Sequence, residues 1–372
     1  MGIYVHVPFC RQKCFYCGFY SVASSVLMEE YVEALCREME LRRDYLGEGT
    51  PSTLYLGGGT PSMLPAGLLE KVVGKVEDTW HLAADAERTL EMNPEDAQPE
   101  KLRAFRRLGF NRLSIGVQSF NDGVLKRINR RHSGGEAVRA VEAAAQAGFD
   151  NIGVDLIIGL PGGSREDMDH DLDVVSCLPV SHVSVYMLSI DSNTVLERLL
   201  EKGRYRPEDE DLLADVYLMV AGYLKGIGFE HYEISNFAKD FKYSRHNTAY
   251  WQQKKYIGLG AAAHSYNGDS RQWNVANIQH YIEGVNEGCL LFEKEELTDV
   301  DKYNEYIMTR LRTKWGGDAG ELERLSPRGW AAAQQALREY VREGSVVCEG
   351  RRIRLSEKGW LISDRIFSSL FE

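Results

Sequence analysis

The sequence predicts an α/β fold: a parallel sheet with helices on one or both faces, followed by a smaller helical module. Three observations carry this expectation. Short β-branched or apolar runs alternate six times with longer segments of helical period over the first 190 or so residues. Strands separated by helices build parallel sheets through right-handed crossovers. Three of the runs end in glycine-rich or polar turns, Gly57-Gly58-Gly59-Thr60-Pro61, Gly116-Val117-Gln118-Ser119 and Gly159-Leu160-Pro161-Gly162. In parallel folds, ligands sit at the carboxyl ends of the strands. Six units suit a partial (β/α)6 barrel and equally an open doubly wound sheet, and periodicity alone does not separate the two.

The strand runs fall at 3–7, 53–56, 89–92, 112–117, 151–158 and 182–188. The helical segments between them fall at 28–46, 65–79, 99–108, 135–146 and 165–177, where apolar residues recur at helical spacing. A further helix is expected at 207–226, then an aromatic and histidine-rich stretch at 229–266. The texture changes near residue 298. Helices are expected at 300–312 and 330–343, a β-hairpin at 345–355 with Glu349-Gly350 at its turn, and a last helix at 355–371. Helices followed by a hairpin read as a winged-helix-like module. The expected domains are a barrel over 1–235, a connecting region over 236–297 and this module over 298–372.

A chain of 372 residues has room for about two or three domains. Its 44% hydrophobic and 27% charged residues rule out disorder as the main state. The net charge of -11 argues against nucleic acid as a partner. No apolar run approaches the length of a membrane span. The first residues, Met1-Gly2-Ile3-Tyr4, lack the basic region of a secretion signal. Of seven cysteines, Cys10, Cys14 and Cys17 cluster, while Cys36, Cys177, Cys289 and Cys348 are scattered. A tight cluster suits a metal or cluster site in a reducing compartment rather than a disulfide framework, so the expected location is the cytoplasm.

Cys10, Cys14 and Cys17 form Cys-x3-Cys-x2-Cys. A structural zinc site takes four ligands, and no second Cys-x2-Cys exists; a histidine such as His6 is the way zinc stays open as an assignment. Soft thiolates also hold iron–sulfur clusters. Three thiolates on a [4Fe–4S] cube leave one iron without a protein ligand, free to bind a small molecule. Aromatic residues Phe9, Phe15, Tyr16, Phe19 and Tyr20 surround the three cysteines, and apolar surroundings tune a cluster's potential and limit its exposure to solvent.

This spacing, placed just after the first strand, resembles the signature of the radical S-adenosylmethionine (SAM) family. The resemblance implies the partial barrel, a [4Fe–4S] cluster on Cys10, Cys14 and Cys17, and SAM on the open iron, cleaved by one electron to a 5′-deoxyadenosyl radical. It assigns the turn at Gly57–Thr60 to the SAM amino group, Glu91, Gln118 and Asp155 to the nucleoside, and Arg130 to the SAM carboxylate, which an arginine can grip through two hydrogen bonds. The branch it resembles holds oxygen-independent coproporphyrinogen III oxidase and its heme-chaperone relatives. The motifs that carry this run along most of the chain: Tyr4-Val5-His6-Val7-Pro8-Phe9-Cys10, Tyr55-Leu56-Gly57-Gly58-Gly59-Thr60-Pro61-Ser62, Arg112-Leu113-Ser114-Ile115-Gly116-Val117-Gln118, Tyr232-Glu233-Ile234-Ser235-Asn236 and Gly258-Leu259-Gly260-Ala261-Ala262-Ala263-His264. Carried over position by position, the SAM site comprises Tyr4, Tyr16, Gly18, Gly58, Gly59, Thr60, Glu91, Gln118, Arg130, Asp155 and Met187. Phe15 stands where proline is common and Gly18 where aspartate is common.

Three features favour the chaperone side of the branch. Phe19 stands where the oxidase carries a further cysteine. The chain reaches Cys10 without the oxidase's longer leading arm. His246-Asn247-Thr248-Ala249-Tyr250-Trp251 matches a His-Asn-x-x-Tyr-Trp motif associated with heme in the chaperones. His246, Tyr250 and Trp251 are thus candidate heme contacts, with imidazole as a possible axial ligand, and a role for them in closing the barrel is the competing reading. His264 is a second candidate. On this resemblance the partners are heme or porphyrin, heme-accepting apoproteins such as membrane respiratory enzymes, and an electron donor. The other reading is an enzyme that oxidatively decarboxylates coproporphyrinogen III to protoporphyrinogen IX.

Overall fold

The computed structural model describes residues 1–372. Six parallel strands form the centre of the sheet: β1 (Gly2–Val7), β2 (Thr53–Gly58), β3 (Glu87–Met92), β4 (Arg112–Gln118), β5 (Ile152–Ile158) and β6 (His182–Met187), adjacent in that order. Each is paired in parallel with the next. The intervening helices, such as Met28–Leu41, Ala66–Trp80 and Gly134–Gln146, lie where the helical period placed them. The first expected helix, 28–46, ends at Leu41, and Arg42 turns inward to donate to Glu38 (2.9 Å) and the Gly258 carbonyl (2.8 Å).

Alternation along each strand sets two different faces. Ile3, Val5, Val7, Leu54, Leu56, Leu113, Ile115, Val154, Leu156, Val183 and Val185 are buried in the core shared with the helices. The alternate positions carry Tyr4, His6, Tyr55, Glu91, Ser114, Asp155 and Ser184. One face is therefore apolar and the other polar and aromatic. The sheet is also curved. Five spacings of about 4.8 Å would hold β1 and β6 about 24 Å apart in a flat sheet. Yet one cleft is lined by residues from β2 to β6 and from the loop after β1: Gly58, Glu91, Gln118, Asp155 and Met187 together with Cys10. Curling the polar face inward makes a partial barrel and settles the choice against an open sheet.

Residues 236–297, expected as a connector, extend the same sheet at both edges, together with the strand just before them. β7 (Glu230–Glu233) and β8 (Asn236–Ala238) add antiparallel strands beside β6. β9 (Tyr256–Leu259) pairs in parallel with β1, and β10 (His264–Tyr266), β11 (Ser270–Asn274) and β12 (Phe292–Glu296) continue antiparallel from it. The C-terminal module has its own core, all within residues 303–370. Its order is helix Asp299–Leu311, β13 (Gly317–Asp318), helices Ala319–Leu325 and Pro327–Arg342, then the hairpin of β14 (Val346–Glu349) and β15 (Arg352–Leu355). Gly350 takes φ +63° at the hairpin turn, a left-handed conformation that suits glycine. The expected single helix after the hairpin is two, Glu357–Leu361 and Ser363–Leu370.

Candidate functional site

One cleft of about 400 Å³ opens at the carboxyl ends of β1–β6. Cys10, Cys14 and Cys17 all line it, and so does every residue expected around SAM except Tyr4. The cysteines carry no disulfide and stay partly exposed. Thr60 Oγ1 donates to Cys10 Sγ at 3.6 Å and Arg130 Nη1 to Cys14 Sγ at 3.5 Å, so two of the three sulfurs face hydrogen-bond donors. No three His, Cys, Asp or Glu side chains converge as a single ion would require. A cube takes one thiolate per iron, so its sulfurs stand apart around it. His6 is not available as a fourth ligand for zinc: Tyr4 Oη lies 3.0 Å from its Nδ1, and its Nε2 bonds the Tyr20 carbonyl at 2.9 Å.

The two glycines are held to glycine by what lies over them. A Cβ on Gly59 would meet the carbonyls of Val7 and Phe9 at 2.7 and 2.8 Å, and one on Gly58, at φ +106°, would run into the His6 ring. The turn after β2 thus lies directly under the cysteine loop. Gln118, at φ +71°, ends β4 where its register with β5 slips. A non-glycine residue in that region is strained, and such strain gathers at binding sites.

Glu91 stands on the inward face of β3. Its Oε1 accepts from Tyr55 Oη at 2.7 Å and its Oε2 from the Gly58 amide at 3.0 Å. Burial pushes its pKa up to about 7, and nearby Asp155 adds to the rise. Asp155 is likewise raised by burial, and accepts from Ser114 Oγ at 3.3 Å. Arg130 Nη2 donates to Asn93 Oδ1 at 2.9 Å and to the Gly116 carbonyl, while its Nε is buried without a partner. The set is acceptors on one side and an incompletely satisfied guanidinium beside Cys14 on the other. That is the donor and acceptor set a nucleoside with an amino-acid tail requires.

Tyr4 stands lower in the barrel, bonded to His6. His246 lies at the opposite end from the cysteines, beside the first residues of β1 and β2. It is buried, its Nδ1 lies 2.8 Å from Thr53 Oγ1, and its Nε2 lies 2.7 Å from Tyr250 Oη. Burial lowers its pKa to about 3, with the Arg112 charge second, so the ring is neutral and both nitrogens are engaged. Its helix, Arg245–Trp251, is capped by Glu87, which accepts from the Arg245 and His246 amides at 3.0 and 2.9 Å. Trp251 lies under the Arg312 guanidinium at 3.9 Å, against the C-terminal module. As folded, the His-Asn-x-x-Tyr-Trp segment closes the base of the barrel and does not reach the cleft. His246 also stacks on Tyr55, ring centres 5.0 Å apart, and Tyr55 holds Glu91.

Sequence reasoning missed Tyr55, Asn93, Ser114 and Tyr186 as parts of the site. The signal was available: Asn93 is two residues beyond Glu91, Tyr55 two before Gly57, and Ser114 two before Gly116, so period-two alternation puts each on its neighbour's face.

Comparison with known proteins agrees with this geometry. Residues 4–175 match the radical SAM superfamily, and residues 297–362 match the HemN C-terminal domain. The chain is 33% identical to the heme chaperone HemW of Bacillus subtilis, over 98% of both chains. It is 35% identical to the heme chaperone HemW of Mycobacterium tuberculosis, over 99% of this chain and 94% of that one. The chain belongs to the HemW family. The superfamily implies a [4Fe–4S] cluster and SAM, and the three cysteines and the cleft around Arg130, Glu91 and Asp155 fit both. Among solved structures, coproporphyrinogen III oxidase from Escherichia coli shares the fold over 100% of this chain and 89% of that one, with a TM-score of 0.86 at 23% identity.

Proposed function

We propose that the protein is a heme chaperone, which binds heme and hands it to apoproteins, membrane respiratory enzymes among them. The observation that carries this reading is the end-to-end similarity to heme chaperones, which spans barrel, edge strands and C-terminal module together. A local feature supports it. Phe19, at the position where the resemblance gives the oxidase a further cysteine, is 70% exposed at the mouth of the cleft. No helix of the protein is long and apolar enough to cross a membrane.

Cys10, Cys14 and Cys17 would hold the cluster, which when bound would supply single electrons. Arg130, whose Nε has no protein partner, would pair with the SAM carboxylate. Gly58 and Gly59 keep the loop over them close. Glu91 and Asp155 present oxygen acceptors to ribose hydroxyls, and Tyr55 fixes the Glu91 carboxylate. Met187 and Tyr16 supply apolar walls. These residues would bind and orient SAM.

Incubation of the cluster-loaded protein with coproporphyrinogen III, SAM and a reductant tests the reading against its enzymatic alternative. A chaperone gives no protoporphyrinogen IX and, in a parallel titration, takes up hemin to a fixed stoichiometry. Formation of protoporphyrinogen IX would overturn it in favour of oxidative decarboxylation.

A further inference from the structure

β9 ends at Leu259 beside Val5 of β1, and β10 runs back along it, with Tyr266 opposite Tyr256. His264, the first residue of β10, therefore lies at the carboxyl end of the sheet, the end that carries the cysteine loop. Two contacts join the regions. Tyr31 Oη donates to the His6 carbonyl at 2.7 Å and accepts from the Ala261 amide at 3.1 Å. The Ile278 amide donates to Tyr20 Oη at 2.6 Å.

Pairing of β10 with β11 sets His264 opposite Trp273, and the two rings stack nearly parallel, 24° apart with centres 5.8 Å away. Val275, Leu290, Leu291 and Phe292 complete an open, mainly apolar groove of about 570 Å³, within the range of small-molecule and cofactor sites. Leu291 and Phe292 remain 44% and 43% exposed, an apolar surface with no partner inside the chain.

The histidines single this groove out. The chain has nine. His6, His132, His182, His231 and His246 are buried with ring nitrogens bonded to protein groups. His81, His170 and His280 are exposed but line none of the main clefts. His264 alone lines such a cleft with no hydrogen-bond partner on its ring. Burial and the Arg271 charge lower its pKa, which keeps a neutral lone pair available to a metal.

We propose that the His264 groove is where heme docks, with the His264 imidazole as axial ligand to the iron and Leu291 and Phe292 as the apolar bed for the macrocycle. Trp273 fixes the plane of the imidazole. Glu293 stands at the groove, so the propionates turn away from it toward solvent. The proposal rests on the heme-chaperone reading above and moves the iron ligand from His246, whose nitrogens are both engaged, to the face that carries the cluster.

Hemin titration of the full-length, cluster-loaded protein tests it, followed by visible absorption and electron paramagnetic resonance. The wild type and His246→Ala should both take up one hemin with an imidazole-ligated signature. His264→Ala should lose that signature and bind about tenfold or more weakly, the loss of one modest metal–ligand bond. Phe292→Ser, at an exposed position of the apolar bed, should weaken binding and keep the signature. Unchanged affinity and spectrum in His264→Ala would overturn the proposal. So would loss of the signature in His246→Ala alone. A concentration-dependent dimer that excludes hemin from the groove would assign it to a second copy instead. No hemin uptake by the wild type would overturn the chaperone reading itself.

Discussion

At the residue scale, Glu91 joins structure to chemistry most directly. Burial raises its pKa to about 7, so the folded protein holds a proton there that the unfolded chain has released above its ordinary carboxylate pKa. The folded state then binds more protons than the unfolded state between about pH 4.5 and 7, and its contribution to stability falls as pH rises through that window. Glu91→Gln should remove that fall and raise stability at pH 8 by about 3 kcal/mol in the SAM-free protein. Urea titrations at several pH values check it, and identical pH profiles for variant and wild type would contradict it. SAM affinity should drop in the same variant, because an amide nitrogen replaces one acceptor oxygen. His246 belongs to the same scale. His246→Ala removes two buried hydrogen bonds and the ring under Tyr55, and should cost about 2–3 kcal/mol. It should also weaken SAM binding through Tyr55 and Glu91. Denaturation and SAM titration measure both, and unchanged SAM affinity would show that Tyr55 holds Glu91 unaided.

Elements explain how much of the site could be read beforehand. The six strand–helix units were legible because each depends on local period, and the cysteine loop because its spacing lies within eight residues. The turn at Gly58 and Gly59 was legible as a close approach, but the approaching group is the cysteine loop itself, seen only once β1 and β2 pair. For His246 both a heme contact and a part in closing the barrel were legible, but the choice between them was not. Its partners, Thr53 and the Glu87 cap, are more than 150 residues away in sequence, and local patterns carry no such information. The same distance hid the pairing of β9 with β1, and with it the membership of 236–297 in the sheet. β13 has two residues and leaves no periodic trace. A prediction belongs here. Gly59→Ala places a methyl group against two backbone carbonyls that cannot yield without moving the cysteine loop, and should leave reconstituted protein short of iron. Gly67→Ala, where a Cβ meets nothing within 4 Å, should retain the full complement. Equal iron content in the two variants would refute the account of that turn.

At the scale of the whole molecule, two cores share one buried ionic junction. Glu233, on β7, is fully buried and accepts from Arg312 Nε at 2.6 Å, from Asn236 and from the Ser235 amide at 3.2 Å. Arg312 follows the first helix of the C-terminal module and also covers Trp251 of the barrel's basal helix. Removing one partner of a buried pair leaves an uncompensated charge, so Arg312→Ala should cost about 3–5 kcal/mol, read from denaturant unfolding. A loss below about 1 kcal/mol, the range of an exposed pair, would mean that the junction is solvated. Through Trp251 and His246 the same junction supports the barrel base, which ties the module's docking to the shape of the cleft above.

The central claim is that this fold carries heme rather than converting a porphyrin. Its most direct test is transfer: heme-loaded protein, with cluster and SAM in place, is mixed with an apo-hemoprotein, and the Soret band is followed as heme changes hosts. The account predicts that the band moves to the acceptor's position while the porphyrin stays chemically intact. Heme retained in full beside a competent acceptor, or a porphyrin altered in its side chains, would contradict it.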